Sequence, residues 1–398
     1  MHRSGFKTLD HACGQGAGRF ESGATSIGCE HFERPATPPP GVRRGCETTS
    51  ELLTVRNLVK HFPVRRGFLG RRAAVVHAVD DVSFSLGENE TLGLVGESGC
   101  GKTTAGFSIL RLIEPTSGEV WFQGENILAL APERMRRLRR HMQIVFQDPF
   151  GSLNPRLTVE RVIEEPLLNH EDLSGAERRT RVEEALVLVG LLPEHMTRFP
   201  HEFSGGQRQR ICVARALVLR PRLVIGDEPV SALDVSVRAQ VLNLMVRLQR
   251  QLNLSYLFIS HDLAVIRYVS HRVGVMYLGQ IVELAGAKAL YAKPLHPYTW
   301  ALLSAVPVPD PRRARKRIIL EGDVPSPINP PAGCRFHPRC TEVEPICREQ
   351  APIMRVVEKN HAVRCHLYED GEPWNAAPPV FRKSSPEAGD KQPKGGNA

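Results

Sequence analysis

The sequence predicts an α/β protein of the P-loop NTPase class, with an inserted helical subdomain and a small C-terminal cysteine-rich extension. Three observations carry this. Between residues 51 and 285 short apolar runs alternate with helical patterns, as in a mostly parallel sheet covered by helices. One run, TLGLVG (91–96), leads straight into GESGCGKTT (96–104). A strand followed by that glycine-rich spacing is the context in which G-x-x-x-x-G-K-[ST] cradles phosphate. Finally, four cysteines cluster late in the chain, at 334, 340, 347 and 365.

Residues 1–50 are rich in Gly, Pro and Ser, and PATPPPGVRRG reads as an extended linker, so this segment is expected to be disordered. Order is expected to begin near Leu52, where LLTVRNLV is strand-like. TLGLVG, LVIGD (223–227) and SYLFIS (255–260) read as buried strands; MQIVF (142–146) is a fourth apolar run not counted among them. Residues 148–212 read as the helical subdomain. Ser174 and Glu177 have capping-box spacing there, and Val182, Leu186 and Val189 share one face. Composition shifts after His296, and PSPINPPAGC leads into the cysteines. The expected division is an α/β nucleotide-binding domain over 51–285, an extension over 286–375 and a loose polar tail over 376–398.

At 398 residues, 41% hydrophobic and 24% charged, the chain has the composition of a soluble two-domain protein. No apolar run approaches the ~18 residues of a membrane span, and the first residues lack the apolar core of a secretory signal. A cytoplasmic setting is expected, where thiols stay reduced. That favours metal or cluster ligation over disulfides at the four late cysteines, while Cys13, Cys29, Cys46, Cys100 and Cys212 show no grouping. The net charge of +9 concentrates in RRGFLGRR (65–72), RMRRLRR (134–140) and PRRARKR (311–317). Without interleaved aromatics these read as solvated faces; an anionic surface is the alternative reading.

In GESGCGKTT, Gly96, Gly99 and Gly101 let backbone N–H groups converge on phosphate. Lys102 would reach the β and γ phosphates and Thr103 would offer its hydroxyl to Mg²⁺. LVIGDEP (223–229) ends a strand in two carboxylates. Asp227 would hold Mg²⁺, and Glu228 would orient and deprotonate the attacking water. FSGGQRQR (203–210) sets Ser204, Gly205 and Gly206 at the start of an amphipathic helix (Ile211, Ala214, Leu217) that ends before Pro221. Such an N-terminus is a second anion site, which a one-site enzyme does not need.

With these motifs in this order, the chain resembles the nucleotide-binding subunits of ATP-binding cassette (ABC) transporters over roughly residues 52–285. The resemblance implies ATP and Mg²⁺ as ligands and a head-to-tail dimer with a second cassette subunit, identical or a paralogue. In that dimer Ser204, Gly205, Gly206 and Gln207 would act on the partner's ATP. It extends the ATP site to Glu97, Ser98, Cys100 and Thr104. It makes Gln147 in IVFQDP the Q-loop residue that touches Mg²⁺ and the membrane partner. It makes Ser231, Ala232, Leu233 and Asp234 the interface D-loop, and His261 the switch histidine beside the γ-phosphate. Phe62 is the candidate to stack on adenine, and a buried core Phe is the alternative. Phe203 and Gly226 depart from the family's usual residues at their positions.

QDPFGSLNPRLTV, DEPVSALDVSVRAQVLNLM, HPYTWALLSAVP and GDVPSPINPPAGCRFHPRC further resemble the peptide-importer branch. That implies two membrane permease subunits, an extracytoplasmic solute-binding protein upstream, and a place on the cytoplasmic face of the membrane. Nickel, glutathione and murein peptide uptake are alternatives within the branch. A soluble ATPase acting on nucleic acid or ribosomes is the rival outside it; the single cassette and the extension speak against that, and no nucleic-acid partner is expected. Cys334, Cys340, Cys347 and Cys365 follow C-x5-C-x6-C-x17-C, without the C-x2-C of most zinc ribbons. Zinc, an iron–sulfur cluster or unligated thiols all remain open on spacing, and the resemblance favours a [4Fe–4S] cluster. His337, His361 and His366 read as polar surface residues rather than ligands.

Overall fold

The computed structural model describes residues 51–65, 72–306 and 317–368. The expected disordered start and tail, Cys13, Cys29, Cys46 and most of RRGFLGRR and PRRARKR lie outside them. The first elements are β1 (Glu51–Arg65), β2 (Arg72–Gly87), β3 (Thr91–Val95), α1 (Lys102–Ile109), β4 (Ser117–Phe122), β5 (Glu125–Asn126), α2 (Pro132–Leu138) and β6 (Met142–Val145). Three helices follow: α3 (Val159–His170), α4 (Gly175–Leu188) and α5 (Gly205–Leu217). Next come β7 (Leu223–Asp227), α6 (Val235–Leu252), β8 (Ser255–Ser260), α7 (Leu263–Val269), β9 (Arg272–Tyr277) and β10 (Gln280–Gly286). The remainder is α8 (Ala287–Ala292), α9 (Pro297–Ser304), α10 (Ile346–Glu349), β11 (Met354–Glu358) and β12 (His361–Arg364).

Two sheets result. One runs β2-β1-β4-β5 and is antiparallel; the other runs β11-β12-β10-β9-β3-β8-β7-β6. From β9 to β6 the second sheet is parallel, and β10, β12 and β11 close one side antiparallel. β3, β7 and β8 are buried at every position, as continuous apolar runs with both faces covered require. MQIVF supplies β6, a parallel strand at the far edge, with its two inner residues only half-buried. Edge strands lack a neighbour on one side, and that blurred its sequence signal.

One core joins the antiparallel sheet to α1 and one face of the parallel strands, through Leu53, Val55, Ile109, Ile225 and Ile259. The other unites α5 and α6 with the helical insertion. Val182, Leu186 and Val189 are all 0% exposed and pack with Val159 and Ile163 of α3 and Ile211 and Ala214 of α5. Ser174 caps α4 as its spacing predicts: the Glu177 N–H donates to Ser174 Oγ at 3.3 Å, and the Ser174 N–H to Glu177 Oε2 at 2.8 Å. RMRRLRR is solvated at Arg134, Arg136 and Arg137, as expected, and held more closely at Arg139 and Arg140. Arg139 donates to the Arg111 carbonyl, and Arg140 and Arg134 pair with Glu171 and Glu125.

The extension continues the cassette's own sheet, because β12 pairs with β10. Its anchor is Glu283, 0% exposed, whose carboxylate accepts from the Leu295 N–H (2.8 Å), the His296 N–H (2.9 Å) and the His361 ring (2.8 Å). A buried carboxylate needs such partners. This corrects the surface assignment of two histidines: His361 is 1% and His366 8% exposed. His361 is drawn inside by Glu283, while His366 meets the Gln350 carbonyl at 2.9 Å. Among the described residues no helix is long and apolar enough to cross a membrane.

Candidate functional site

β3 delivers the chain into the 96–101 turn, and α1 starts at Lys102. Gly101, the N-cap, has φ +103°, and a Cβ there would lie 2.0 Å from the Ala78 carbonyl oxygen, so only glycine fits. Lys102 is 5% exposed and donates from Nζ to the Gly96 and Glu97 carbonyls at 2.8 and 2.9 Å, bracing the turn from within. Thr103 donates from Oγ1 to Asp227 Oδ1 at 2.8 Å. Burial raises the Asp227 pKa, and the neighbouring Glu228 adds to the rise; the Thr103 hydrogen bond and the Lys102 charge oppose it. A carboxylate held this way gains from a cation placed beside it.

Glu228 has φ +47°, a left-handed conformation that costs a non-glycine residue about 1–2 kcal/mol. Its N–H donates to the Ile259 carbonyl at 2.9 Å, and its own carbonyl accepts from Ser231 Oγ at 3.0 Å. The strained turn sets both carboxylate oxygens to work: Oε1 lies 2.9 Å from His261 Nδ1, and Oε2 accepts from Gln147 Nε2 at 3.2 Å. Of the ten described non-glycine residues with positive φ, Glu228 is the one that lines this cleft.

The cleft that results is about 490 Å³. Ser98, Gly99, Gly101, Lys102, Thr103 and Thr104 form its floor, with Gln147, Glu228 and His261 facing them. Gly96, Glu97, Cys100 and Asp227 stand behind this lining. Val76, Ala78 and Pro327 complete the wall; none of the three stood out in the sequence. Phe62 is half-buried on β1 opposite Val76, so it flanks the rim without lining the cleft; Lys60 Nζ sits 4.8 Å from its ring centre.

The signature and D-loop residues lie elsewhere. Ser204 caps α5 in a reciprocal box with Gln207: the Gln207 N–H donates to Ser204 Oγ at 3.4 Å and the Ser204 N–H to Gln207 Oε1 at 3.1 Å. Ser204 is exposed, and the N–H groups of Gly205 and Gly206 belong to a first turn that has no intrahelical acceptor. Phe203 is buried beside His195, with ring centres 5.2 Å apart. Ser231 to Asp234 form the turn that leads into α6; Leu233 is buried and Ala232 and Asp234 are exposed. At Gly226 an added Cβ would meet Pro229 Cγ at 3.1 Å, so the small residue suits its tight neighbour.

Sequence reasoning missed the struts between the extension and the phosphate turn. Arg339 holds Glu97 with two hydrogen bonds, 2.9 and 3.2 Å. The Tyr298 hydroxyl accepts from the Glu97 N–H at 2.9 Å. Tyr298 packs in turn against Tyr277 and Phe336 with the rings tilted, at ring distances of 4.7 and 5.4 Å. The His77 N–H donates to the Pro327 carbonyl at 2.9 Å. Arg339 lies inside GCRFHPRC and Tyr298 inside HPYTW, stretches read for their cysteines and their family resemblance.

Cys334, Cys340, Cys347 and Cys365 are free thiols that converge although they come from separate loops and from β12's end. Burial pushes Cys340 up to about 12 and raises Cys334 and Cys365, and the other three thiols raise Cys365 further. Cys347 and Cys365 are buried and Cys334 and Cys340 half-buried, and thiols of this kind gain from a metal centre held among them. Cys340 Sγ also accepts from the Glu342 N–H at 3.4 Å. Among the described residues, no three of these sulfurs come within 4.8 Å of one another. A tetrahedral zinc tetrathiolate holds its sulfurs about 3.8 Å apart, given Zn–S near 2.3 Å.

Residues 79–231 match the ABC transporter family and 282–347 match the oligopeptide/dipeptide transporter C-terminal region. The oligopeptide transport ATP-binding protein AppF of Bacillus subtilis is 56% identical over 80% of this chain and 97% of its own length. A probable peptide ABC transporter ATP-binding protein of Sinorhizobium fredii is 53% identical over 79% of this chain and 90% of its own length. Among solved structures, a dimeric ATP-binding cassette in a post-hydrolysis state with ADP and Pi superposes with a TM-score of 0.53. It is 28% identical and covers 59% of this chain and 98% of its own. CbiO1 of Clostridium perfringens has the same TM-score at 26% identity, covering 61% and 91%. With a phosphate turn, an acidic strand end and an extension that match throughout, the chain belongs to the ATP-hydrolysing subunits of ABC transporters, in the branch that carries the oligopeptide/dipeptide C-terminal region.

Proposed function

We propose that this subunit powers the import of di- or oligopeptides, closing on ATP as half of a head-to-tail cassette dimer and reopening after hydrolysis. The observation that carries the reading is Glu228, held in a strained turn between Gln147 and His261 at the mouth of a phosphate cleft. Lys102 and the 96–101 N–H groups would bind the β and γ phosphates. Thr103, Asp227 and Gln147 would hold Mg²⁺, which when bound neutralises charge on those phosphates. Glu228 would take the proton of the attacking water, and His261, hydrogen-bonded to it, would keep that carboxylate aimed and sense the γ-phosphate.

Ser204, Gly205, Gly206 and Gln207 would complete the partner cassette's site, with Ser231–Asp234 at the seam. That assignment explains why a capped, exposed helix start lies outside the chain's own cleft. The partners would be a second cassette, two permease subunits touched near Gln147 and the helical insertion, and indirectly a solute-binding protein. The subunit would sit at the cytoplasmic face of the membrane. Cys334, Cys340, Cys347 and Cys365 would hold a [4Fe–4S] cluster in a structural role. Their mutual charge coupling and the N–H donated to Cys340 are what support it.

Glu228→Gln tests the core of the reading. ATP should still bind within a few-fold, while steady-state hydrolysis should fall at least about 100-fold, as loss of a general base does. Turnover near wild type would remove Glu228 from its role. For the cysteines, anaerobically purified protein should contain iron and acid-labile sulfide that Cys340→Ser loses; stoichiometric zinc in their place would overturn the cluster.

A further inference from the structure

The β1–β2 hairpin holds a cluster that the ATPase cycle does not use. His61 and His77 are Cα partners across the two strands, with ring centres 4.2 Å apart. Strand alternation puts them on the face opposite Phe62 and Val76. His61 Nε2 faces Asp80 Oδ1 at 3.4 Å and His77 Nδ1 faces Asp80 Oδ2 at 3.6 Å. Both distances exceed the ordinary 2.7–3.2 Å of an N–H···O bond, and both nitrogens are sealed from solvent without a hydrogen-bond partner. One ligand atom from each of the three residues lies within 4.8 Å of the others, and among the described residues no other His, Cys, Asp or Glu group does so.

We propose that His61, His77 and Asp80 form a binding site for one divalent transition-metal ion of the Zn²⁺ or Cu²⁺ class. Two imidazoles and a carboxylate are the donor set such borderline ions prefer, and too nitrogen-rich for Mg²⁺ or Ca²⁺. In a tetrahedral site with bonds near 2.1 Å, neighbouring ligand atoms sit about 3.4 Å apart. The observed spacings, 3.4 Å from His61 Nε2 to Asp80 Oδ1 and 3.6 Å from His77 Nδ1 to Oδ2, run to the two oxygens of one carboxylate; both are long for a hydrogen bond, and with one ligand atom of each residue within 4.8 Å of the others the three side chains surround a point an ion can occupy. Asp80 also pairs with Arg335, from the cysteine extension. Arg335 becomes the outer partner that orients the carboxylate, and its charge keeps the affinity moderate. The three side chains are about a quarter exposed, although the two facing nitrogens are themselves covered. An ion there cross-links β1 to β2 beside Val76 and Ala78, which wall the nucleotide cleft.

Cobalt separates this site from the cysteines. Full-length protein, purified anaerobically and free of nucleotide, is titrated with Co²⁺ and followed in the visible range. Cobalt on nitrogen and oxygen gives weak ligand-field bands, whereas cobalt on thiolate adds intense charge transfer. The expected result is one equivalent with nitrogen/oxygen bands, bound at least tenfold more weakly in His61→Ala, His77→Ala and Asp80→Asn, any thiolate band being unchanged. If wild type shows no such equivalent, or if the variants melt normally and bind it as wild type does, the site is refuted.

Discussion

The two glycine-rich helix starts of this chain are built on opposite plans. The 96–101 turn is enclosed: the Ala78 carbonyl leaves no room for a side chain at Gly101, Lys102 bridges two of its carbonyls, and Arg339 and Tyr298 hold Glu97 from outside. The 204–207 turn is capped from within: Ser204 and Gln207 cap each other, and at Gly205 the nearest atom to an added Cβ is Leu233 Cδ2, an ordinary 3.6 Å away, although at Gly206 an added Cβ would lie 2.2 Å from Val237 Cγ1 of α6. One is shaped by its own fold to receive phosphate. The other is a finished helix start whose anion, on our proposal, arrives with another subunit.

Substituting the glycines breaks or sharpens that contrast. Gly101→Ala puts a Cβ into backbone at φ +103°. It should cost about 3 kcal/mol or more in urea unfolding and weaken MgATP binding at least about 100-fold. Gly205→Ala should change stability by no more than about 1 kcal/mol, because alanine is the better helix former. It should also leave ATP binding to the isolated chain intact. Hydrolysis should nevertheless fall about tenfold or more, since a methyl would stand where the partner's γ-phosphate docks. Full hydrolysis in Gly205→Ala would end the lending role of the 204–207 turn.

Acid should reach the enclosed turn through His296. His296 caps α9, which carries Tyr298, and its Nδ1 accepts from the Tyr298 N–H at 3.0 Å, so that nitrogen must be unprotonated. Burial lowers its pKa from 6.5 to about 3. Between those values the unfolded chain binds a proton that the folded chain refuses, so stability is lost as pH falls. The loss should reach about 2 kcal/mol at pH 5. His296→Asn retains a capping side chain; measured by urea unfolding at pH 7 and pH 5, its stability should drop less by about that amount.

Local structure written in contiguous residues was legible. GESGCGKTT, the carboxylates of LVIGDEP and the spacing of Ser174 and Glu177 each describe a strand end, a turn or a helix cap, where neighbours in sequence are neighbours in space. The apolar runs that became β3, β7 and β8 were legible for the same reason. What escaped was set by distant pairing. Nothing local marks His361 as the partner of Glu283, Pro327 as wall of the nucleotide cleft, or Arg339 as the brace of Glu97. Each depends on β12 joining β10 and drawing the extension beneath the phosphate turn.

The Arg339–Glu97 brace gives the smallest effect and the finest test. Arg339's side chain is 8% exposed and Glu97's 27%, so the pair is partly screened, and its net worth is well below that of a fully buried bidentate bond. Its action on nucleotide is indirect, because Glu97 stands behind the cleft lining. Arg339→Ala should therefore raise KM for ATP about threefold, roughly 0.7 kcal/mol, with kcat at saturating ATP unchanged. A purely structural arginine would lower the amount of folded protein and leave KM alone. Glu97→Ala should give the same shift, and the double variant no more than either single one, since the two share one interaction. Additive shifts would mean that Arg339 and Glu97 reach the phosphate turn separately, and that the cysteine extension does not steady it through this pair.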